Sequence, residues 1–142
     1  MSTYSPSEPP RIFPTFRFRH AGKMIDWLQA AFGFTIHNRF DTEAGEVAHA
    51  ELALGSSMIM CGQAREDDYA KIVGDAGIQG GKSLYIAVEN VDALFERAQK
   101  AGATIAEGLT DRDYGSREFI CRDPEGNVWC FGTYWPKATE KA

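Results

Sequence analysis

The chain has 142 residues and a formal net charge of −5; 44% of its residues are hydrophobic and 25% are charged. This length and composition predict one globular domain. The 15 Lys and Arg residues form no basic run, which excludes the electrostatic signature of a nucleic-acid-binding protein, and no apolar stretch approaches the length of a membrane span.

The first ten residues and the cysteines bear on the cellular compartment. Residues 1–10 contain three prolines and three serines but no apolar core of a signal peptide, which predicts a flexible N-terminal tail. Cys61, Cys121 and Cys130 lack the CxxC spacing of a zinc cluster, and we interpret them as buried free thiols. We therefore expect a cytoplasmic protein.

The first half of the chain predicts a strand, a helix and three further strands. Arg11 to Arg19 alternates, with Phe16 and Phe18 on one face. The stretch from Gly22 to Phe32 has helical spacing of its apolar residues, and Gly33 suits the left-handed position after a helix. Turn residues then separate three predicted strands, Thr35 to Asp41, Val47 to Leu54 and Met58 to Cys61. These elements make a βαβββ module over residues 11–62.

The second half repeats this plan about seventy residues later, with Gly45 answering to Gly115 and Gly62 to Gly132. Residues 63–82, rich in charge and glycine, are predicted to link the two copies. Asn90 is a predicted N-cap for a helix that Gly102 closes. The predicted strands of this copy are Ser83 to Val88, Thr104 to Ala106, Arg117 to Arg122 and Val128 to Tyr134. The second βαβββ module covers residues 83–136, and residues 137–142 are a C-terminal tail.

Several strings in this order carry a family resemblance. They are Pro14-Thr15-Phe16, His49-Ala50-Glu51-Leu52, Tyr114-Gly115 with Arg117, and Asp123-Pro124-Glu125-Gly126-Asn127-Val128-Trp129. Together with the duplication, they resemble the vicinal oxygen chelate superfamily of glyoxalase I, bleomycin resistance proteins and extradiol dioxygenases. The resemblance implies an α+β fold in which the curved sheets of two tandem βαβββ modules enclose a cleft, with the helices outside. It also implies a homodimer.

The alternation then assigns one face of each strand to the core beneath the helices and the other to the cleft. The residues expected in the core are Phe16, Phe18, Leu52, Ile59, Leu84, Ile86, Val88, Trp129 and Phe131.

Metal-dependent relatives hold a divalent ion with His or Glu on the first and last strand of each module. The resemblance maps these positions onto Phe13, Met60, Ser83 and Cys130, none of which is a histidine or a carboxylate. A phenyl ring, a thioether and a hydroxyl cannot replace such donors. The expectation is therefore a protein without the family metal and without another cofactor, with Cys130 as a buried thiol.

His49 and Glu51 alternate with Ala48, Ala50 and Leu52, so both are predicted on the cleft side of a strand. Such a pair can supply a general base and a carboxylate that orients it. The alternative is that the two are polar strand residues that only hydrogen-bond to their neighbours.

A further set of residues is predicted to line the cleft and contact a ligand. Arg17 and Arg117 can bind a carboxylate or phosphate bidentately, or can form surface ion pairs with acidic residues. The apolar members of the set suit a flat organic molecule, and for them core packing is the alternative role. They are Met58, Met60, Tyr85, Phe119 and Cys130.

Two functions remain open on this evidence. The first is a metal-free protein that binds an aromatic or anionic small molecule. The second is a lyase, isomerase or dioxygenase-type enzyme that uses His49 and Glu51 as its acid and base groups. Kinship of fold does not choose between them.

Overall fold

The computed structural model of the protein describes residues 8–77 and 80–138. Its elements, in chain order, are the strands and helices β1 (Thr15–Phe18), α1 (Ala21–Phe32), β2 (Thr35–Asp41), β3 (Val47–Leu54), β4 (Ser57–Gln63), α2 (Asp68–Val73), β5 (Leu84–Ala87), α3 (Val91–Lys100), β6 (Thr104–Asp111), β7 (Arg117–Arg122) and β8 (Val128–Gly132). The predicted tails fall largely on residues 1–7 and 139–142, which lie outside the described part.

The strands form two four-stranded sheets with the same topology. The first sheet has the order β1-β4-β3-β2 and the second the order β5-β8-β7-β6. In each sheet the first strand runs parallel to the last, and the other neighbours are antiparallel. The α+β architecture of two tandem βαβββ modules is therefore confirmed.

The core lies between the two sheets and their helices. Five of the predicted core residues are fully or nearly fully buried, namely Phe18, Leu52, Ile59, Trp129 and Phe131. The others, Phe16, Leu84, Ile86 and Val88, are partly buried and pack against this cluster. Since the cluster includes residues of both modules, the two sheets share one hydrophobic core.

Helix α1 depends on the second module at both of its ends. No side chain of its own caps its N-terminus, and it has no acidic residue in its first turn and no basic residue in its last. Instead, the Glu125 carboxylate accepts bonds from the backbone N–H groups of Arg19 at 2.6 Å and His20 at 2.8 Å. At the other end, Arg97 donates to the carbonyl oxygens of Ala30 and Gln29. In β4 of module 1, Gln63 accepts a bond from the backbone N–H of Ala21 at 3.0 Å, so both modules supply groups that satisfy the ends of α1.

Other helix boundaries follow the sequence signals closely. Gly33 ends α1 in the left-handed region with a φ of +85°, as predicted. The side chain of Asn90 accepts a bond from the backbone N–H of Ala93 and caps α3, which is also as predicted. Within the described residues, no helix is long and apolar enough to span a membrane.

The repeated glycines mark places where two chain segments approach closely. A Cβ atom on Gly62 would lie 2.8 Å from the backbone oxygen of Ala48, and one on Gly132 would lie 2.6 Å from the Tyr85 hydroxyl. Neither separation is compatible with a side chain, which gives the repeat a steric reason at both positions.

The largest differences from the sequence-based expectation concern three elements. Strand β1 begins at Thr15, so Phe13 precedes it. The predicted linker contains the short helix α2. Strand β6 continues to Asp111 instead of ending at Ala106, and its pairing with β7 is irregular after Ile105, which breaks the alternation that a strand prediction needs.

Candidate functional site

A cavity of about 790 Å³ lies over the outer face of the first sheet. Its floor comes from β1, β3 and β4, and its walls come from the segment after β4 and from the start of β5. Because Phe16 and Phe18 point into the core, the intervening Arg17 points the other way, toward this cavity. Met60 and Gly62 lie beside it on the floor.

The guanidinium of Arg17 already has a partner in this structure. Its Nη1 and Nη2 atoms donate to the two carboxylate oxygens of Asp67 at 2.7 and 2.8 Å. The ring of Tyr69 covers the same guanidinium, with its centroid 4.8 Å from the Arg17 Cζ atom. The bonds from Arg17 hold the pKa of the Asp67 carboxyl well below its usual range. Both groups are therefore charged at neutral pH.

Two further cations line the cavity, Arg65 and Lys82. Across residues 8–77 and 80–138, Lys82 makes no ion pair and no hydrogen bond. The acidic residue among the lining side chains is Asp75. Although the whole chain is acidic, this cavity carries an excess of positive charge.

His49 lies at the cavity and is oriented by its neighbours on the first sheet. The His49 Nε2 atom is 3.0 Å from the Glu51 Oε2 atom, and Asn38 donates to the other carboxylate oxygen at 3.1 Å. These bonds lower the pKa of Glu51, and the bond with His49 has the larger effect. The phenyl ring of Phe40 stacks on the imidazole, with 6.4 Å between ring centroids. A carboxylate that fixes an imidazole in this way is compatible with a role of His49 as a general base.

The positions that the resemblance assigns to a metal do not fit one. Met60 and Ser83 line the cavity, whereas Cys130 lies on the second sheet beside Tyr85 and Phe13 precedes β1. Burial raises the pKa of the Cys130 thiol, which disfavours the thiolate that a metal binds. Among the described residues, no three His, Cys, Asp or Glu side chains are grouped to hold an ion.

The remaining residues of the predicted site lie away from this cavity. Tyr85 and Cys130 are paired neighbours on the second sheet, where the Tyr85 hydroxyl donates to the Tyr134 carbonyl oxygen at 2.7 Å. Met58, opposite Ala53 at the far end of β4, does not line the cavity either.

Phe119 and Arg117 were expected on the cleft face and lie instead on the helix side of β7. Phe119 is fully buried, stacked on Phe131 and edge-on to Phe95 of α3. Arg117 forms ion pairs with Asp92 and Asp111. The structure thus brings together Arg17, Met60 and His49 with its partner Glu51, and places the other predicted site residues elsewhere.

The opposite face of β7 carries a polar cluster that the sequence analysis missed. Glu118 is only 4% exposed, and it accepts bonds from Arg112 Nε at 3.1 Å and the Tyr114 hydroxyl at 2.7 Å. Burial alone would raise the pKa of Glu118, but these bonds and one from Ser116 outweigh it, so the pKa is lowered. The internal repeat could have indicated this position. Phe119 pairs with Phe131 in the second sheet as Ala50 pairs with Cys61 in the first. Glu118 therefore occupies the position in module 2 that His49 occupies in module 1.

Comparison with known proteins identifies the family to which this fold corresponds. The Glyoxalase/Bleomycin resistance protein/Dioxygenase superfamily matches residues 14–131. The uncharacterized protein Mb0911c of Mycobacterium bovis is 30% identical over 129 residues, which cover 87% of this chain and 82% of that protein. The uncharacterized protein Rv0887c of Mycobacterium tuberculosis is equally similar and is covered to 74%.

Solved structures agree with this assignment. TioX from Micromonospora sp. ML1 is 30% identical, with a TM-score of 0.71, and the match covers 87% of this chain and 97% of TioX. A glyoxalase/bleomycin resistance protein/dioxygenase family enzyme from Burkholderia phytofirmans PsJN shares the fold at 23% identity and a TM-score of 0.69, over 84% of this chain and 94% of that one.

Proposed function

This chain belongs to the Glyoxalase/Bleomycin resistance protein/Dioxygenase superfamily, and on that premise we propose that it binds a small planar organic anion without a metal ion. The binding site is the cavity over the first sheet. The observation that carries the proposal is the combination of this cavity's size, its partly apolar floor and a lysine, Lys82, that has no ion-pair partner among the described residues.

The size and lining suit a molecule with one or two fused rings. Ligand pockets generally enclose about 300–1,000 Å³, with mostly apolar walls and a few polar groups that fix orientation. Here the side chain of Met60 provides a polarizable surface on the floor, and the aromatic ring of Tyr69 stands at the wall. Gly62 keeps the floor open, since it carries no side chain.

The charge distribution favours an anion over a neutral ligand. Lys82 presents an ammonium group to the cavity without a counter-ion in the described part of the chain, and Arg65 adds a second cation. A carboxylate in the cavity gains charge-assisted hydrogen bonds, which are about twice as strong as neutral ones.

Charge reversal at Lys82 tests the proposal. The probes are naphthoate and its uncharged analogue naphthamide, measured by isothermal titration calorimetry. We expect naphthoate to bind the wild-type protein more tightly than naphthamide, and Lys82→Glu to weaken naphthoate binding by about tenfold, which corresponds to roughly 1.4 kcal/mol. Naphthamide binding should change little.

Lys23→Glu is the matched control for this experiment. It makes the same charge change on an exposed side chain of α1 that does not line the cavity. Equal weakening by the two substitutions, or equal affinity for the two probes, would contradict an anion site at Lys82.

The geometry of His49 favours a second candidate function, an enzyme that uses His49 as a general base and Glu51 as its orienting group. His49 lies at the cavity, and the 3.0 Å contact with Glu51 fixes the imidazole. On this hypothesis, a lyase, isomerase or dioxygenase-type substrate enters the same cavity.

Substituting His49 distinguishes catalysis from binding. In a binding protein, His49→Ala should leave the naphthoate dissociation constant within about twofold, because the proposal assigns the carboxylate to Lys82 and Arg65 and not to His49. In an enzyme, the same substitution abolishes turnover of any substrate that a screen identifies. Turnover that survives His49→Ala removes the catalytic assignment. The cytoplasmic location and the homodimer stay predictions, and size-exclusion chromatography with light scattering measures the latter.

A further inference from the structure

The segment from Ala64 to Gly77, called the strap below, crosses the edge of the cavity and packs loosely. It contains α2, a helix of six residues with no buried side chain. Ile72 is 80% exposed, and Tyr69 and Val73 are also exposed. A short helix without buried apolar side chains has little stability of its own, so its position depends on the contacts that hold it.

Those contacts are polar, and two of them come from arginines of strand β1 or the turn after it. The Nη1 and Nη2 atoms of Arg17 both donate hydrogen bonds to the carboxylate of Asp67. Asp67 also accepts a bond from the backbone N–H of Ala70 and thereby caps α2. At the other end of the strap, Arg19 Nη1 donates to the carbonyl oxygen of Ala76 at 2.8 Å. The Arg17–Asp67 pair is the one that fixes the helix.

A second cavity of about 430 Å³ adjoins the first at the strap. The two cavities have five lining residues in common, Arg17, Arg65, Gly74, Asp75 and Ala76. The strap therefore separates the two cavities, and Arg17 lines both of them. Movement of the strap would join the two spaces and would expose a guanidinium to both.

We propose that Asp67 occupies the anion-binding position of Arg17 in the ligand-free protein, and that the carboxylate of the ligand displaces it and releases the strap. This inference rests on the proposed function and names the group that the ligand must displace. A carboxylate ligand fits because it matches the paired N–H groups of a guanidinium as the Asp67 carboxylate does.

The arrangement makes Asp67 an intramolecular competitor. It is tethered near Arg17, so its effective concentration is high, and a free carboxylate binds only to the fraction of molecules in which the pair is open. Weakening the pair should therefore strengthen ligand binding. This change in affinity is opposite in direction to the change expected when a residue that contacts the ligand favourably is removed.

The test compares Asp67→Asn with Asp68→Asn in naphthoate titrations. Asparagine keeps the side-chain oxygen that caps α2 but loses the charge that holds Arg17. Asp68 is the matched control, since the same substitution one residue away removes a charge from a side chain that is fully exposed. We expect Asp67→Asn to tighten naphthoate binding by about tenfold and Asp68→Asn to change it by less than about twofold.

Trypsin cleavage within the strap provides the second measurement, because Arg65 and Lys71 are cleavage sites in it. Mass spectrometry reports the rate at each site. Without ligand, cleavage at Lys71 should be faster in Asp67→Asn than in the wild-type protein. Naphthoate should accelerate this cleavage in the wild-type protein, whereas naphthamide should not.

The outcomes separate this inference from the proposed function. If naphthoate binds the wild-type protein and the two variants bind it equally, or if naphthoate slows cleavage of the strap, the displacement of Asp67 is overturned and the binding function stands. Binding to Asp67→Asn alone supports a strong internal competitor. If neither protein binds naphthoate, the proposed function and the inference fall together.

Discussion

Replacing Trp129 with alanine should lower the free energy of unfolding by about 3–5 kcal/mol, as expected for a large aromatic side chain removed from a core. Trp129 is 0% exposed, and its ring lies 5.5 Å from Phe16, 5.1 Å from Phe32 and 6.0 Å from Phe34, measured between centroids. Its indole N–H donates to Asp123 at 3.0 Å. The substitution therefore opens a cavity where the two modules meet and leaves a buried carboxylate with one bond fewer.

Urea denaturation followed by circular dichroism measures this effect. Trp135→Ala is the control, because Trp135 is half exposed and lies outside the strands. We expect it to change the free energy of unfolding by less than about 0.5 kcal/mol. A loss below about 2 kcal/mol for Trp129→Ala would contradict a shared core.

Replacing Glu125 with alanine is the second substitution with a large expected effect, a loss of about 2–4 kcal/mol in the free energy of unfolding. The nearly buried carboxylate of Glu125 accepts the backbone N–H groups of Arg19 and His20, for which the described residues supply no second acceptor. Removing it leaves two donors unsatisfied, and each costs about 1–3 kcal/mol when water cannot replace the acceptor fully.

Glu125→Gln is the matched variant in the same denaturation experiment. Glutamine retains one acceptor oxygen and nearly the same volume, so we expect a smaller loss than with alanine. Hydrogen exchange at the first turn of α1 should become faster in both variants. If the two substitutions cost the same and exchange in α1 is unchanged, the carboxylate does not cap this helix.

The repeated architecture could be predicted from the sequence because its signals are local. Strands β2, β3 and β7 agree with their predicted limits, and Gly33 and Asn90 mark the ends of helices through backbone geometry that they determine themselves. Alternation predicted strand residues of the core such as Phe18, Leu52 and Trp129, because each lies on the apolar face of its strand.

The candidate site was predicted only in part because its contacts are not local. Arg17 and Asp67 are fifty positions apart, and no periodicity links a strand residue to the N-cap of a six-residue helix. Helix α2 itself leaves no apolar stripe in the sequence, since it buries nothing. Residue pairs of this kind become apparent only when the strands have been assembled.

The buried face of β7 was predicted wrongly for a local reason. Phe119, Ile120 and Cys121 are consecutive apolar residues, so alternation does not say which face of the strand is buried. The structure places Phe119 and Cys121 in the core and leaves Glu118 on the outer face with its hydrogen-bond partners. The buried carboxylate was overlooked for the same reason.

Glu125 and Arg97 of module 2 form hydrogen bonds at the two ends of α1, so non-covalent contacts hold the modules together. Since these bonds, together with the one from Trp27 to Ala101, join the modules independently of the strap, a single cut between them does not separate the molecule into halves. We therefore expect the two modules to unfold as one cooperative unit.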